Sequence, residues 1–209
     1  MTVTIFGATG IVGRQLVRQA ILQGFSVKAF GRDILTAGIV ENDRLQLIPG
    51  AVFDAGQVKD AIKGSEAVLS ALGGAHNMVD RTRSLGMKQI VTQMETLGVK
   101  RIVAVGNFGL LDNEEDDAIM NSPVYPAELL AVAKEHYKAY EHLKNSSLEW
   151  TLVCPHDIVD GDASGIYNTA AEQLPSPDNG SIRSGDLAAF MVKELKKNEY
   201  IKKRVGISN

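Results

Sequence analysis

Three glycines at three-residue spacing, Gly7, Gly10 and Gly13 in Gly-Ala-Thr-Gly-Ile-Val-Gly, directly follow the apolar run Val3 to Phe6. Such a string is chemically suited to a pyrophosphate. The start of a helix offers backbone N–H groups to an anion, and positions without a side chain let the chain turn tightly and approach the phosphate oxygens. Glycine strings also make ordinary turns, so the context carries the inference: this one closes a predicted strand and opens a predicted helix, as a dinucleotide site requires. The next run ends in Phe30-Gly31-Arg32-Asp33, with Arg32 nineteen residues beyond Gly13. An adenosine ribose is read at about that distance. An arginine there holds a 2′-phosphate in forked, charge-assisted geometry, which favours NADP(H), whereas Asp33 turned to the ribose 2′-OH would favour NAD. A surface Arg-Asp turn is the plain alternative. Further on, Ala71-Leu72-Gly73-Gly74 lacks bulk where the second half of a dinucleotide would lie, and Gly106-Asn107-Phe108-Gly109 falls where groups would face a nicotinamide.

These residues need a scaffold that brings strand ends together, and the pattern of the chain supplies one. Short β-branched runs, Val3 to Phe6, Ser26 to Phe30, Leu45 to Ile48, Glu66 to Leu72, Arg101 to Val105 and Trp150 to Cys154, alternate with segments of helical period. Leu16, Val17, Ala20 and Ile21 form one stripe; Met87, Ile90, Val91, Met94 and Leu97 form another. The alternation predicts an α/β fold, a doubly wound parallel sheet of Rossmann type over residues 1–209, with a small C-terminal lobe on the substrate side. Two long connections, 108–126 and 157–180, leave from carboxyl ends of strands and are expected to wall a substrate pocket. Asp186 is expected to cap a helix running to about Lys197, and Arg204 to Ile207 to add a last strand.

The 209 residues carry 22 basic and 25 acidic side chains, a formal charge of −3, which argues against a nucleic-acid face. The lone Cys154 forms no internal bridge and reads as a small buried hydrophobe. No apolar run reaches the roughly 20 residues of a membrane span, and the first residues lack the layout of a secretion signal, so a cytoplasmic protein with no membrane partner is expected. His76, His136, His142 and His156 are scattered and the acidic run Asp112 to Asp117 lacks calcium-loop spacing, so no metal site is expected. That acidic run, and the late basic residues Lys193, Lys196, Lys197, Lys202, Lys203 and Arg204, read as solvated surface.

Thr4-Ile5-Phe6-Gly7-Ala8-Thr9-Gly10-Ile11-Val12-Gly13, Gly31-Arg32-Asp33, Gly98-Val99-Lys100-Arg101-Ile102-Val103, Leu148 to Pro155 and Ile182 to Ala188 resemble the atypical short-chain dehydrogenases of the NAD(P)H-binding, NmrA-like group. Within it the chain is most similar to the biliverdin IXβ reductase and NADPH-dependent flavin reductase branch. The resemblance implies that Thr9, Gly10, Ile11 and Val12 wrap the pyrophosphate, that Arg32 meets the 2′-phosphate, and that Leu72 and Gly73 line the cofactor. Asn107 stands where those relatives place a serine near the nicotinamide, and His156 or Asp157 where they present a histidine. Relatives carry an acid near the adenine where Gly50-Ala51 stands here. Tyr140 and Lys144 have the spacing of the tyrosine–lysine pair of typical short-chain dehydrogenases, but Tyr140 shares a helical face with Leu129, Ala133 and Leu143 and reads as core. Alignment on Glu141 and Leu143 puts Ala133 and Tyr137 at the pair's positions, so the usual acid is expected to be missing.

The expected activity is hydride transfer from NADPH, with NAD(H) as the possible substitute, to a planar conjugated acceptor such as a flavin or a linear tetrapyrrole. Asn107 and His156 would orient its polar edge, and Phe108 and Asp157 would line the pocket. A flavin or bilin takes its proton from solvent, so a strong protein acid is dispensable. The rival reading is a non-catalytic NADP(H) sensor of the NmrA-like type. Epimerase or dehydratase chemistry on a nucleotide sugar is disfavoured by the short chain and the missing pair.

Overall fold

A computed structural model describes residues 1–74 and 79–209; His76 lies outside the described residues. Eight strands form one sheet in the spatial order β3-β2-β1-β4-β5-β6-β10-β8. The strands are β1 Thr2–Phe6, β2 Ser26–Gly31, β3 Leu45–Pro49, β4 Ala67–Ser70, β5 Arg101–Val105, β6 Glu149–Pro155, β8 Asn168–Ala171 and β10 Lys203–Ser208. All neighbours pair in parallel except β8, which runs antiparallel to β10. The order reverses at β1, which lies between β2 and β4, and a ligand crevice opens at such a reversal beyond the carboxyl ends of the strands.

Alternation along β1 shows why the sheet is covered twice. Val3 and Ile5 pack with Leu16 and Val17 of α1 (Ile11–Leu22) and with Leu187 and Met191 of α5 (Ser184–Lys197). Phe6, on the opposite face, packs in the cluster built by α2 (Ala55–Ile62), α3 (Thr82–Leu97) and α4 (Leu130–Lys144). Its neighbour on that face, Thr4, is fully buried and gives its hydroxyl hydrogen to the Ala61 carbonyl at 2.8 Å, so the one buried polar side chain in the strand is satisfied. The helix stripes met in the sequence are these buried faces.

The second half of the chain differs from expectation in three places. Segment 157–180 holds β7 (Asp157–Val159), which pairs with β9 (Ser181–Arg183) in a separate two-stranded parallel sheet, and β8, which extends the main sheet. Residues 108–126 hold short 3₁₀ turns at Phe108–Leu110 and Ile119–Asn121. Asp186 lies within the first turn of α5 rather than at its cap, and its carboxylate accepts from the Ser164 and Gly165 amides, the Ser164 hydroxyl and the Asn209 side chain. Two charge readings are corrected as well. Arg204, on the expected last strand, is not solvated surface: it donates to Glu172 and Asp112 at 2.7 Å each and to the Leu110 carbonyl. Asp112 is therefore ion-paired, and the segment after β5 is tied to the far edge of the sheet. No described helix is long and apolar enough to cross a membrane.

Candidate functional site

The glycine turn joins β1 to α1, and its three glycines have different reasons to be there. Gly7 takes φ +75°, and a Cβ on it would lie 2.2 Å from the Ala71 carbonyl oxygen at the end of β4. A Cβ on Gly13 would lie 2.0 Å from the Gly7 carbonyl oxygen and 2.7 Å from the Ala8 Cα. Both residues are demanded by the chain's own packing, since no side chain fits against backbone at those separations. Gly10 is not: its hypothetical Cβ meets nothing closer than the Gly7 oxygen at 3.5 Å, an ordinary contact. The space in front of Gly10 is free of protein, and the first turn of α1 has no side-chain cap and no acidic residue. An uncapped, acid-free helix start with an open approach fits an anionic pyrophosphate.

An open cleft of about 430 Å³ lies there, lined by Thr9, Gly10, Ile11, Arg14, Gln15 and Asp160. Val12 sits on the same first turn and is buried behind it. Arg14 donates from Nε to the Thr9 carbonyl at 2.9 Å, which steadies the turn. Gln15 donates to Asp162 at 3.3 Å, and Arg18 pairs with the same carboxylate, so the segment after β7 is fastened over α1. The sequence reading missed Arg14, Gln15 and Asp160. Arg14 was within reach, next to the last glycine; nothing local marks Asp160.

Arg32 and Asp33 are both exposed, and among the described residues neither makes an ion pair. Gly31 backs onto Thr9, whose methyl lies 3.4 Å from a Cβ built on Gly31, so Arg32 leaves the sheet beside the glycine turn. At the end of β3, Gly50 presses against the Phe30 ring, and the Ala51 amide donates to Gln57 at 2.8 Å, so the place where relatives carry an acid is closed by a glutamine. Leu72 packs toward Gly86 of α3, and Gly73 faces open space.

The ends of β5 and β6 build a second cluster. Parallel pairing of Val105 with Val153 sets Asn107 and His156 at neighbouring strand ends. Asn107 precedes the Phe108–Leu110 turn, and its Oδ1 accepts from the Gly109 amide at 2.9 Å and the Tyr125 hydroxyl at 3.1 Å. The Phe108 ring stacks on His156, centroids 3.8 Å apart and planes 18° apart, with the Tyr125 ring 5.3 Å away. His156 Nε2 lies 3.2 Å from Asp178 Oδ2. Phe108 is 8% exposed, and the imidazole stacked on it is half-buried. Asp157, one residue on, is exposed at the start of β7, without a place in this stack. Tyr125 and Asp178 were not singled out from the sequence. Burial pushes the Tyr125 phenol up to about 12, so it stays protonated through the neutral range.

Tyr140 does not join either cluster. It is buried edge-on to Trp150, centroids 5.6 Å apart, with the Arg204 guanidinium 5.6 Å from its ring centre. Cys154 is also buried, and desolvation drives its thiol up to about 12.

Other proteins share this fold. Protein YwnB of Bacillus subtilis, which is itself uncharacterised, is 26% identical, with 99% of this chain and 98% of that protein covered. Among solved structures, a Bacteroides thetaiotaomicron protein described as a "putative epimerase" superposes with a TM-score of 0.87 at 27% identity, covering 99% of this chain and 96% of that one. A Streptococcus pneumoniae protein described as a "putative NADH-flavin reductase" superposes with a TM-score of 0.82 at 27% identity, covering 99% and 98%. The model of the NAD(P)H-binding family matches residues 7–198. With the glycine turn and the open helix start inside that span, the chain belongs to the NAD(P)H-binding family.

Proposed function

We propose that the protein is an NADPH-dependent reductase of a flavin or another planar conjugated acceptor such as a linear tetrapyrrole. Gly7, Thr9, Gly10, Ile11, Val12 and Gly13 would hold the pyrophosphate, Arg32 the 2′-phosphate, and Leu72 and Gly73 the path toward the nicotinamide. When bound, the dinucleotide supplies a hydride; with one proton from solvent, this completes a two-electron reduction of the acceptor. The chain's own work is positioning. The observation that carries the reading is the flat imidazole of His156, backed by Phe108 and tied to Asp178 at the carboxyl end of β6, on the same edge of the sheet as the glycine cradle. A flat aromatic surface suits a conjugated ring system, and stacking within contact distance is what hydride transfer demands. Likeness to a structure described as a flavin reductase supports it further.

The test is aerobic NADPH consumption by the purified protein with FMN, riboflavin or biliverdin, against NADH and enzyme-free controls. Enzyme-dependent consumption favouring NADPH is expected; saturable NADPH binding with no consumption for any acceptor refutes it. One observation favours the second reading, an NADP(H) sensor acting on a partner: the tyrosine of the Tyr140–Lys144 spacing is locked in the core, so that pair supplies no acid at the strand ends. A sensor would bind oxidised and reduced dinucleotide with different affinity and turn over neither.

A further inference from the structure

Asn107 has one side-chain oxygen and one side-chain nitrogen, and the fold has already used the oxygen. The Gly109 amide can only donate, so the atom 2.9 Å from it is the acceptor Oδ1. The Tyr125 hydroxyl takes the other lone pair at 3.1 Å. A carbonyl oxygen offers two lone pairs, so Oδ1 is full. The Nδ2 group makes no hydrogen bond to any described residue, and Asn107 is only partly buried. The arrangement also needs Gly109: a Cβ there would lie 2.7 Å from the Tyr125 oxygen and 2.9 Å from Oδ1.

We propose that Tyr125 is a positioning residue that locks the Asn107 carboxamide with its NH₂ facing the reacting end of the site, so that the site selects a ligand carbonyl oxygen there. This deepens the reductase reading and rests on it for the identity of the ligand. Two sources share that chemistry: the carbonyl of a nicotinamide carboxamide, and a ring carbonyl of the hydride acceptor. A donor at the second strengthens as electrons arrive, because reduction places negative charge on a conjugated carbonyl oxygen. A serine hydroxyl could serve as donor or acceptor; a locked carboxamide is donor only.

Side-chain amide NMR on uniformly ¹⁵N-labelled protein, joined to steady-state kinetics, tests this. The Asn107 NH₂ peaks are assigned by their loss in Asn107→Asp. They are expected to move in Tyr125→Phe, and in the wild type to move on adding either NADP⁺ or FMN, which tells the two sources apart. If neither ligand moves them while both bind, the donor assignment is overturned even where turnover is normal. In kinetics, Tyr125→Phe is expected to lower kcat/KM for FMN about threefold to tenfold, the worth of one neutral hydrogen bond, with the thermal midpoint lowered by no more than about 6 °C. Asn107→Asp is expected to lower it about a hundredfold. A merely structural Tyr125 would lower the midpoint and leave the NH₂ peaks in place, and that result overturns the proposal. If no acceptor turns over but NADP⁺ moves the peaks, the reductase reading fails while the Asn107 assignment stands.

Discussion

Replacing Gly10 and Gly13 by alanine separates what the fold needs from what a ligand needs. At Gly13 the new methyl would sit 2.0 Å from one backbone oxygen and 2.7 Å from a backbone Cα, atoms that cannot swing away. Overpacking of that kind costs about 1 to 3 kcal/mol or more, and for a domain of this size each kcal/mol lowers the thermal midpoint by about 2 to 4 °C. Gly13→Ala should therefore lose at least several degrees before any ligand is added. At Gly10 the methyl meets only an oxygen at 3.5 Å, and the remaining cost is that alanine is a poorer helix cap than glycine, about 0.5 to 1 kcal/mol. Gly10→Ala should thus melt within about 4 °C of the wild type. Its methyl projects into the space in front of the helix start, so NADPH affinity should fall tenfold or more, about 1.4 kcal/mol or more. The assay is thermal unfolding of each variant alone, followed by NADPH titration using nicotinamide fluorescence. A Gly10→Ala protein that binds NADPH within twofold of wild type refutes the placement of the pyrophosphate at this turn.

Arg32→Ala should weaken NADPH by about tenfold or more while leaving NADH nearly unchanged, since a hydrogen bond to a charged group is worth roughly 1.5 to 3 kcal/mol; equal losses by isothermal titration would point to Asp33 or to neither. Burial alone would raise the Asp186 carboxyl, but hydrogen bonds from Asn209, Gly165 and Ser164 outweigh it and hold its pKa below the usual range. A carboxyl lowered in the folded state adds stability above its unfolded pKa and loses it as pH falls toward the folded one. Asp186→Asn should cost about 1 to 3 kcal/mol at pH 7 in urea unfolding, with the gap narrowing below about pH 4; a gap that does not change with pH would contradict the assignment. Cys154, with its thiol driven up to about 12 by burial, should resist a disulfide reagent at pH 8 in the native protein and react once unfolded; fast native labelling would mean the end of β6 opens readily.

Much of the scaffold was legible from one-dimensional pattern. The stripes Leu16–Ile21 and Met87–Leu97, the β-branched runs and the glycine turn are local signals, set by residues two to four positions apart, and they sufficed for the parallel sheet and for the strand–turn–helix that carries the glycines. The reading faltered where a residue's partner lies far along the chain. Arg204 looked like one more solvated cation until β10 carried it beside Asp112 and Glu172. Residues 157–180 looked like connection because β8 finds its partner only after the chain returns as β10. Gly7, Gly10 and Gly13 are indistinguishable as letters; only the packing of the backbone after β4 against Gly7, and of the turn's own backbone against Gly13, makes two of them obligatory and leaves the third open.

The sequence by itself determined the elements, the glycine turn and the strand ends that carry Asn107 and His156, because hydrophobic period and backbone permissiveness act between near neighbours. Tertiary structure alone decided that Tyr125 closes on Asn107, that Asp178 holds His156, and that Phe108 lies beneath the imidazole rather than in the open. Those contacts span 18, 22 and 48 residues of chain, and their energy depends on where the intervening backbone returns, which no local pattern encodes.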